Sequence, residues 1–113
     1  MDPKKIIERL LPDFAVELMN RDDTVTGAMA VTNALGFGFD EGDVESAEWD
    51  GGSRDRIAFK VSMKLSGEQR DDMGRNGDEL ALSVSGIAVR NGVTWEVRSY
   101  DIDSCESNAD AYD

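Results

Sequence analysis

The chain contains no histidine, one cysteine and two prolines. Without histidine there is no imidazole base, no histidine-based nucleophile triad and no histidine metal site. The single cysteine, Cys105, excludes an internal disulfide and the stapled frameworks of small secreted domains. Acids surround it in sequence, and like charge disfavours a thiolate, so it is a poor nucleophile. No apolar run approaches the ~20 residues of a membrane-spanning helix. The first residues lack the apolar stretch and cleavage site of a secretory signal. A cytoplasmic location is therefore expected.

Basic residues are also scarce: 12 Lys and Arg face 24 Asp and Glu, for a net charge of −12. Such a chain repels phosphate backbones and anionic membranes, so direct binding to either is not expected. It attracts basic proteins, cations or a saline environment. The acid is mostly aspartate and the base mostly arginine, a bias that fits salt adaptation as well as a charged binding surface.

The 113 residues suffice for one domain with a modest core. Asp2-Pro3 starts a helix, with Asp as N-cap and Pro at the first helical position. Ile6, Ile7, Leu10, Leu11, Phe14, Ala15, Leu18 and Met19 form one stripe. Pro12 lies within it, but the apolar phase does not slip there. The spacing predicts one helix over 3–20, kinked at Pro12 and ended by Arg21-Asp22-Asp23. In residues 24–39, Val25, Met29, Val31, Leu35, Phe37 and Phe39 alternate as in a strand. Val25, Ala28, Met29, Thr32 and Leu35 also make a helical stripe, but the threonines and the Gly36–Phe39 run favour strand. Asp40-Glu41-Gly42-Asp43 reads as a turn. Residues 44–50 read as a short strand with poor alternation, suited to a sheet edge. Ile57, Phe59, Val61, Met63 and Leu65 form the cleanest strand. Residues 66–78 read as a loop.

Residues 79–102 read as a hairpin closed by Asn91-Gly92, whose residue types suit a type I′ turn. Leu80, Leu82 and Val84 alternate with small residues. Ile87 and Val89 then fall on odd numbers, which predicts a β-bulge at Gly86. Val93, Trp95 and Val97 follow, with a second phase shift before Tyr100 and Ile102. The fold expected is α+β: an N-terminal amphipathic helix packed on a curved antiparallel β-meander of about five strands. Residues 1–103 form the single domain, and 104–113 an acidic, flexible tail.

No motif carries recognisable chemistry, and the chain is not expected to be an enzyme or to hold a cofactor. Gly36-Phe37-Gly38 and Gly51-Gly52 lack the setting of a phosphate cradle. Asp40–Glu45 lacks the spacing of a calcium loop, and Asp101 with Asp103 reads as a solvated strand end, so no metal site is assigned. The acidic clusters stand out instead. Asp40, Glu41, Asp43, Glu45, Glu48 and Asp50 occur without an intervening base, and Asp71, Asp72 and Asp78 load the 66–78 loop. Trp49, flanked by acids, is a candidate aromatic anchor, whereas Trp95 has the phase of a core residue. Dense carboxylates imitate phosphates, so a basic protein is the expected partner, in the sharpest form one whose nucleic-acid-binding site is blocked. A homodimer is left open. Arg56, Lys60 and Lys64 share one strand face, where Ser83, Ser85, Glu96 and Arg98 suit cross-strand pairing. A salt-adapted accessory domain and a small-ligand binder beneath the sheet are the alternative readings.

Overall fold

The computed structural model describes residues 2–30, 37–52, 54–67 and 79–107. Helix α1 spans Pro3–Arg21, and Asp2 caps it by accepting the Lys4 N–H at 3.0 Å. Its stripe is buried at Ile6, Ile7, Leu11, Phe14, Ala15 and Leu18. Pro12 sits on the exposed side, so the hydrogen bond it removes lies away from the core.

Helix α2 follows over Asp23–Ala30, where the residue types favoured strand. Asp22 accounts for the difference. Its backbone N–H bonds Leu18 O at 3.0 Å and ends α1. Its Oδ1 accepts the N–H groups of Thr24 and Val25 at 3.0 and 3.1 Å and starts α2. One aspartate thus satisfies orphan backbone donors that a strand would not have created. Val25 is fully buried, as the helical stripe requires.

Among the described residues, four antiparallel strands follow in meander order: β1 Phe37–Trp49, β2 Arg56–Gly67, β3 Glu79–Asn91 and β4 Thr94–Ser107. The fold class is α+β, with four strands in place of about five. Asp40–Asp43 is no turn: it lies inside β1, which also takes in the short 44–50 strand. β1 ends in a 3-10 turn at Asp50–Gly52. β4 continues through Cys105 to Ser107, into the stretch read as tail.

Both helices lie against one face of the sheet, α1 chiefly on β1 and α2 on β4. Ile57, Phe59, Val61, Met63 and Leu65 of β2 and Leu80, Leu82, Val84 and Ala88 of β3 face them and are buried. The expected bulge at Gly86 is absent, because the β2–β3 register runs unbroken from Arg56↔Val89 to Ser66↔Glu79. Gly86 keeps the inward phase, and Ile87 and Val89 face outward. A Cβ at Gly86 would meet Ser99 O at 2.4 Å and the Phe59 ring at 2.9 Å. Phe59 pairs directly with Gly86, and Gly86 with Tyr100. Phe14 of α1 stands edge-on to both rings, at 6.2 Å from Phe59 and 5.3 Å from Tyr100. The missing side chain is the space into which this aromatic cluster closes.

The β3–β4 turn is shifted by one residue from the expected position. Asn91 pairs with Thr94, so the two-residue loop is Gly92-Val93. Only Gly92 has positive φ, at 66°, the pattern of a type II′ turn and not I′. Val93, expected inward with Trp95, is 97% exposed.

The joint between the helices is tied to the far edge of the sheet. The Tyr100 hydroxyl donates to Asp22 Oδ2 at 2.6 Å. Partial burial, then this bond and the charge of Asp22, push the phenol up to about 12 from 10.0.

Two predictions follow from this packing. Gly86→Ala should lower stability by about 1–3 kcal/mol in urea denaturation, through overpacking against the Ser99 carbonyl; an unchanged midpoint would mean that the β4 backbone at Ser99 gives way at no cost. The phenol has a higher pKa folded than unfolded, so its neutral form is the one the fold favours. Its contribution is complete below pH 10 and should be lost as the pH rises from 10 to about 12. Tyr100→Phe should remove this part of the alkaline loss, and the difference in phenolate absorbance between the two proteins should titrate near 12.

Candidate functional site

The face of the sheet turned away from the helices carries most of the strand charges. How they come to share it follows from the backbone of the edge strands. Strict alternation along β1 would send about half of its acids into the core. Two register shifts prevent this, one between Phe39 and Glu41 and one between Val44 and Ser46. At the first, Asp40 and Glu41 together oppose Lys64; at the second, Glu45 and Ser46 oppose Lys60. Phe37, Phe39, Gly42, Val44, Ala47 and Trp49 therefore face the helices. Asp40, Glu41, Asp43, Glu45 and Glu48 all face out and are exposed.

β4 repeats the device. Its shifts leave Arg98 and Ser99 opposite Ile87, and Asp103 and Ser104 opposite Ser83. Trp95, Val97, Tyr100, Ile102 and Cys105 face in, while Glu96, Asp101, Asp103 and Glu106 face out. The sequence of half-buried and exposed positions from Trp95 to Ser107 matches that from Phe37 to Trp49, except that Val44 is buried and its equivalent Ile102 only half-buried. The sheet thus has an internal two-fold relation centred on the Val61↔Val84 pair.

Between the two lines of carboxylates lies a floor of small residues interrupted by Lys60 and Lys64 of β2. Reading across the strands, the rows are Ser46–Lys60–Ser85–Asp101, Asp43–Ser62–Ser83–Ser104 and Glu41–Lys64–Ala81–Glu106. Three inter-strand gaps separate the lines, about 14 Å along the sheet. Two shallow depressions open on this floor. One, of about 300 Å³, is bordered by Glu41, Asp43, Ser62 and Ala81. The other, of about 370 Å³, is bordered by Ala58, Ser85, Ser99 and Asp101.

Two of the central cations are ion-paired, toward β1 and its turn and not toward the expected Glu96 of the hairpin. Lys64 Nζ lies 3.4 Å from Glu41 Oε1, and Arg56 Nε lies 3.5 Å from Asp50 Oδ2. Both are surface pairs worth roughly 0–1 kcal/mol. Lys60 has no ion-pair partner among the described residues. The Ser66 hydroxyl donates to Asp40 Oδ2 at 2.9 Å and holds that carboxylate on the outer face.

Of the residues singled out from the sequence, Asp40, Glu41, Asp43, Glu45 and Glu48 come together as one line. Asp50 stands beyond the strand in the 3-10 turn. Trp49 faces the opposite side, half-buried, with its ring 6.0 Å from that of Trp95. Trp95 is likewise half-buried, not fully core. Asp71, Asp72 and Asp78 lie outside the described residues. The density of acids alone does not assign the second line, on β4, to the site. The signal for its orientation is partial: Trp95, Val97, Ile102 and Cys105 are spaced as Phe37, Phe39, Val44 and Ala47 are, while Gly42 against Tyr100 and Trp49 against Ser107 break the match.

Cys105 pairs with Leu82 inside β4 and is half-buried. Burial, more than the charge of Asp22, raises its thiol above the usual range. Among the described residues, no three His, Cys, Asp or Glu side chains gather as metal ligands, and no helix is long and apolar enough to cross a membrane. Comparison with protein-family models, curated proteins and solved structures finds no match.

The bulges give a direct test of the geometry. Deleting Glu45 removes the extra residue of the bulge and should leave Ala47 and Trp49 facing inward in regular pairing, whereas deleting Glu48 should turn either Trp49 outward or Ser46 inward and lower stability by about 2 kcal/mol or more in urea. Glu45→Ala keeps the bulge and should stay within about 0.5 kcal/mol of the parent. Equal destabilisation by the two deletions would show that Glu45 is not the extra residue of the strand.

Proposed function

We propose that this chain is a non-enzymatic interaction protein whose open sheet face receives a basic protein partner. The observation that carries the reading is the paired bulging of β1 and β4. It gathers the carboxylates of both edge strands onto one face and leaves no element packed on the floor between them among the described residues. An α-helix is about 10–12 Å across with its side chains. Seated on the Ala58, Ser62, Ala81, Ser83 and Ser85 floor, a basic helix would direct lysines and arginines to both carboxylate lines. The small floor residues allow close approach, and the two carboxylate lines reject an acidic segment in the same position, while Lys60 and Lys64 require the partner's basic groups to point outward to the lines and not down onto β2.

In its sharpest form the partner is a nucleic-acid-binding protein, and the carboxylate lines occupy the channel that phosphates would enter. On this reading the chain acts as an inhibitor by mimicry. Carboxylates spaced along an extended strand offer repeated negative charge without bases, so recognition would depend on charge and not on sequence.

Partner captured from host lysate and identified by mass spectrometry provides the test. Affinity should fall steeply between 50 and about 300 mM salt, as expected when several exposed charge pairs are screened. The combined variant Asp40→Asn, Glu41→Gln, Asp43→Asn and Glu45→Gln should bind at least about 100-fold more weakly with its circular dichroism unchanged. Undiminished binding by that variant would remove β1 from the interface. Stability that recovers only in molar potassium chloride, with no basic partner captured, would mean that the acids serve solvation instead.

A further inference from the structure

A second site lies at one end of the molecule, on the helix side of the sheet and apart from the acidic face. β1 and β4 are opposite edges, but the sheet is curled enough for Trp49 and Trp95 to meet at 6.0 Å and a 47° tilt. The cleft beside them, of about 360 Å³, is lined by Ile6, Trp49, Arg54, Arg90, Val93 and Trp95.

Three observations bear on its occupant. First, no carboxylate among the described residues lines the cleft, although 24 of the 113 residues are acidic. Second, its side-chain polar groups are all donors: two indole N–H groups and two guanidinium groups. Among the described residues neither indole N–H has an acceptor, and Arg54 has no ion-pair partner. Arg90, by contrast, is held by Gly92 O at 2.9 Å and lies 4.0 Å from Asp55, which fixes its position. Third, the remaining lining is apolar, with Ile6 on one side and the wholly exposed Val93 on the other. The volume is within the range of small-molecule sites.

We propose that this cleft binds a small aromatic anion, its ring against Trp49 and Trp95 and its carboxylate or phosphate on Arg54. A donor-only rim beside indole faces complements a planar body bearing an acceptor-only group. The net charge of −12 opposes any anion at long range, but that repulsion is screened beyond about 10 Å at 0.1 M salt, whereas contact with Arg54 is not. The site is independent of the acidic face, and either can fail without the other.

The chain has two tryptophans, so the ¹⁵N-labelled protein gives two indole N–H resonances to follow. Titration of the full chain with 1-naphthoate or 1-naphthyl phosphate should move both indole signals in a saturable way. Neutral 1-naphthalenemethanol should move them far less. Arg54→Gln, at an exposed position, should weaken the preferred anion about tenfold, the worth of one charge-assisted hydrogen bond, with the rest of the spectrum unchanged. Indole signals that stay fixed at low-millimolar anion would overturn the proposal. Equal binding of the neutral alcohol, or unchanged affinity in the Arg54 variant, would do so as well.

Discussion

A β-strand sorts its side chains by parity, and parity lasts only as long as nothing is inserted. The constraint on this molecule is that its two edge strands, β1 and β4, do not alternate by sequence, yet each must offer one continuous apolar face to the helices. Pairing two residues against one at Asp40, Glu45, Arg98 and Asp103 solves this. Each bulge absorbs an extra polar residue on the outer side and restores the apolar phase. The core residues of β1 and β4 and the one-sidedness of the charge are thus the same fact seen from the two faces of the sheet. The inner strands carry no bulge between them and serve as the ruler against which the edges are read. Bulged, charged edges are also poor templates for a further strand, which directs any partner to the face.

The glycines support this in two ways. Gly86 removes a side chain where Phe59 and Tyr100 close on β3 under the ring of Phe14. Gly42 does the same where Leu11 of α1 approaches β1: a Cβ there would lie 2.8 Å from Leu11 Cδ1. Neither has positive φ. What they supply is room, and the room lets aromatic and aliphatic side chains seal a sheet curled tightly enough to bring two tryptophans from opposite edges together.

Legibility in the sequence followed local physics. α1 was readable from its cap and stripe, and β2 from unbroken alternation. Residues 24–30 satisfied both periods, and the decision lay with the Asp22 side chain, a capping signal masked by the run of polar residues around it. β1 reads in sequence as a turn and a short strand because its phase changes twice and Asp40–Asp43 has turn-like composition. Only the unbroken register of β2 shows that the changes are bulges. At Gly86 the opposite error arose, since Ile87 and Val89 imitate a phase shift while Gly86 and Ala88 hold the inward positions. Asn91-Gly92 has the composition of a type I′ turn, but the pairing of Asn91 with Thr94 and of Arg90 with Trp95 moves the loop to Gly92-Val93. For the site, the acids of 40–48 were legible from density alone. Their convergence with Glu96, Asp101, Asp103 and Glu106 was not, because it depends on which edge of the sheet each strand takes.

The joint at Asp22 has a mechanical consequence. α1 leans on one edge of the sheet, and the short tether from Asp22 to Tyr100 fastens the helical layer to the other. The helices therefore act as a strap drawn across the concave side, and the curl of the sheet cannot relax without lengthening it. The distance between the two lines of carboxylates on the convex side is accordingly gauged from behind, by a layer that touches neither of them.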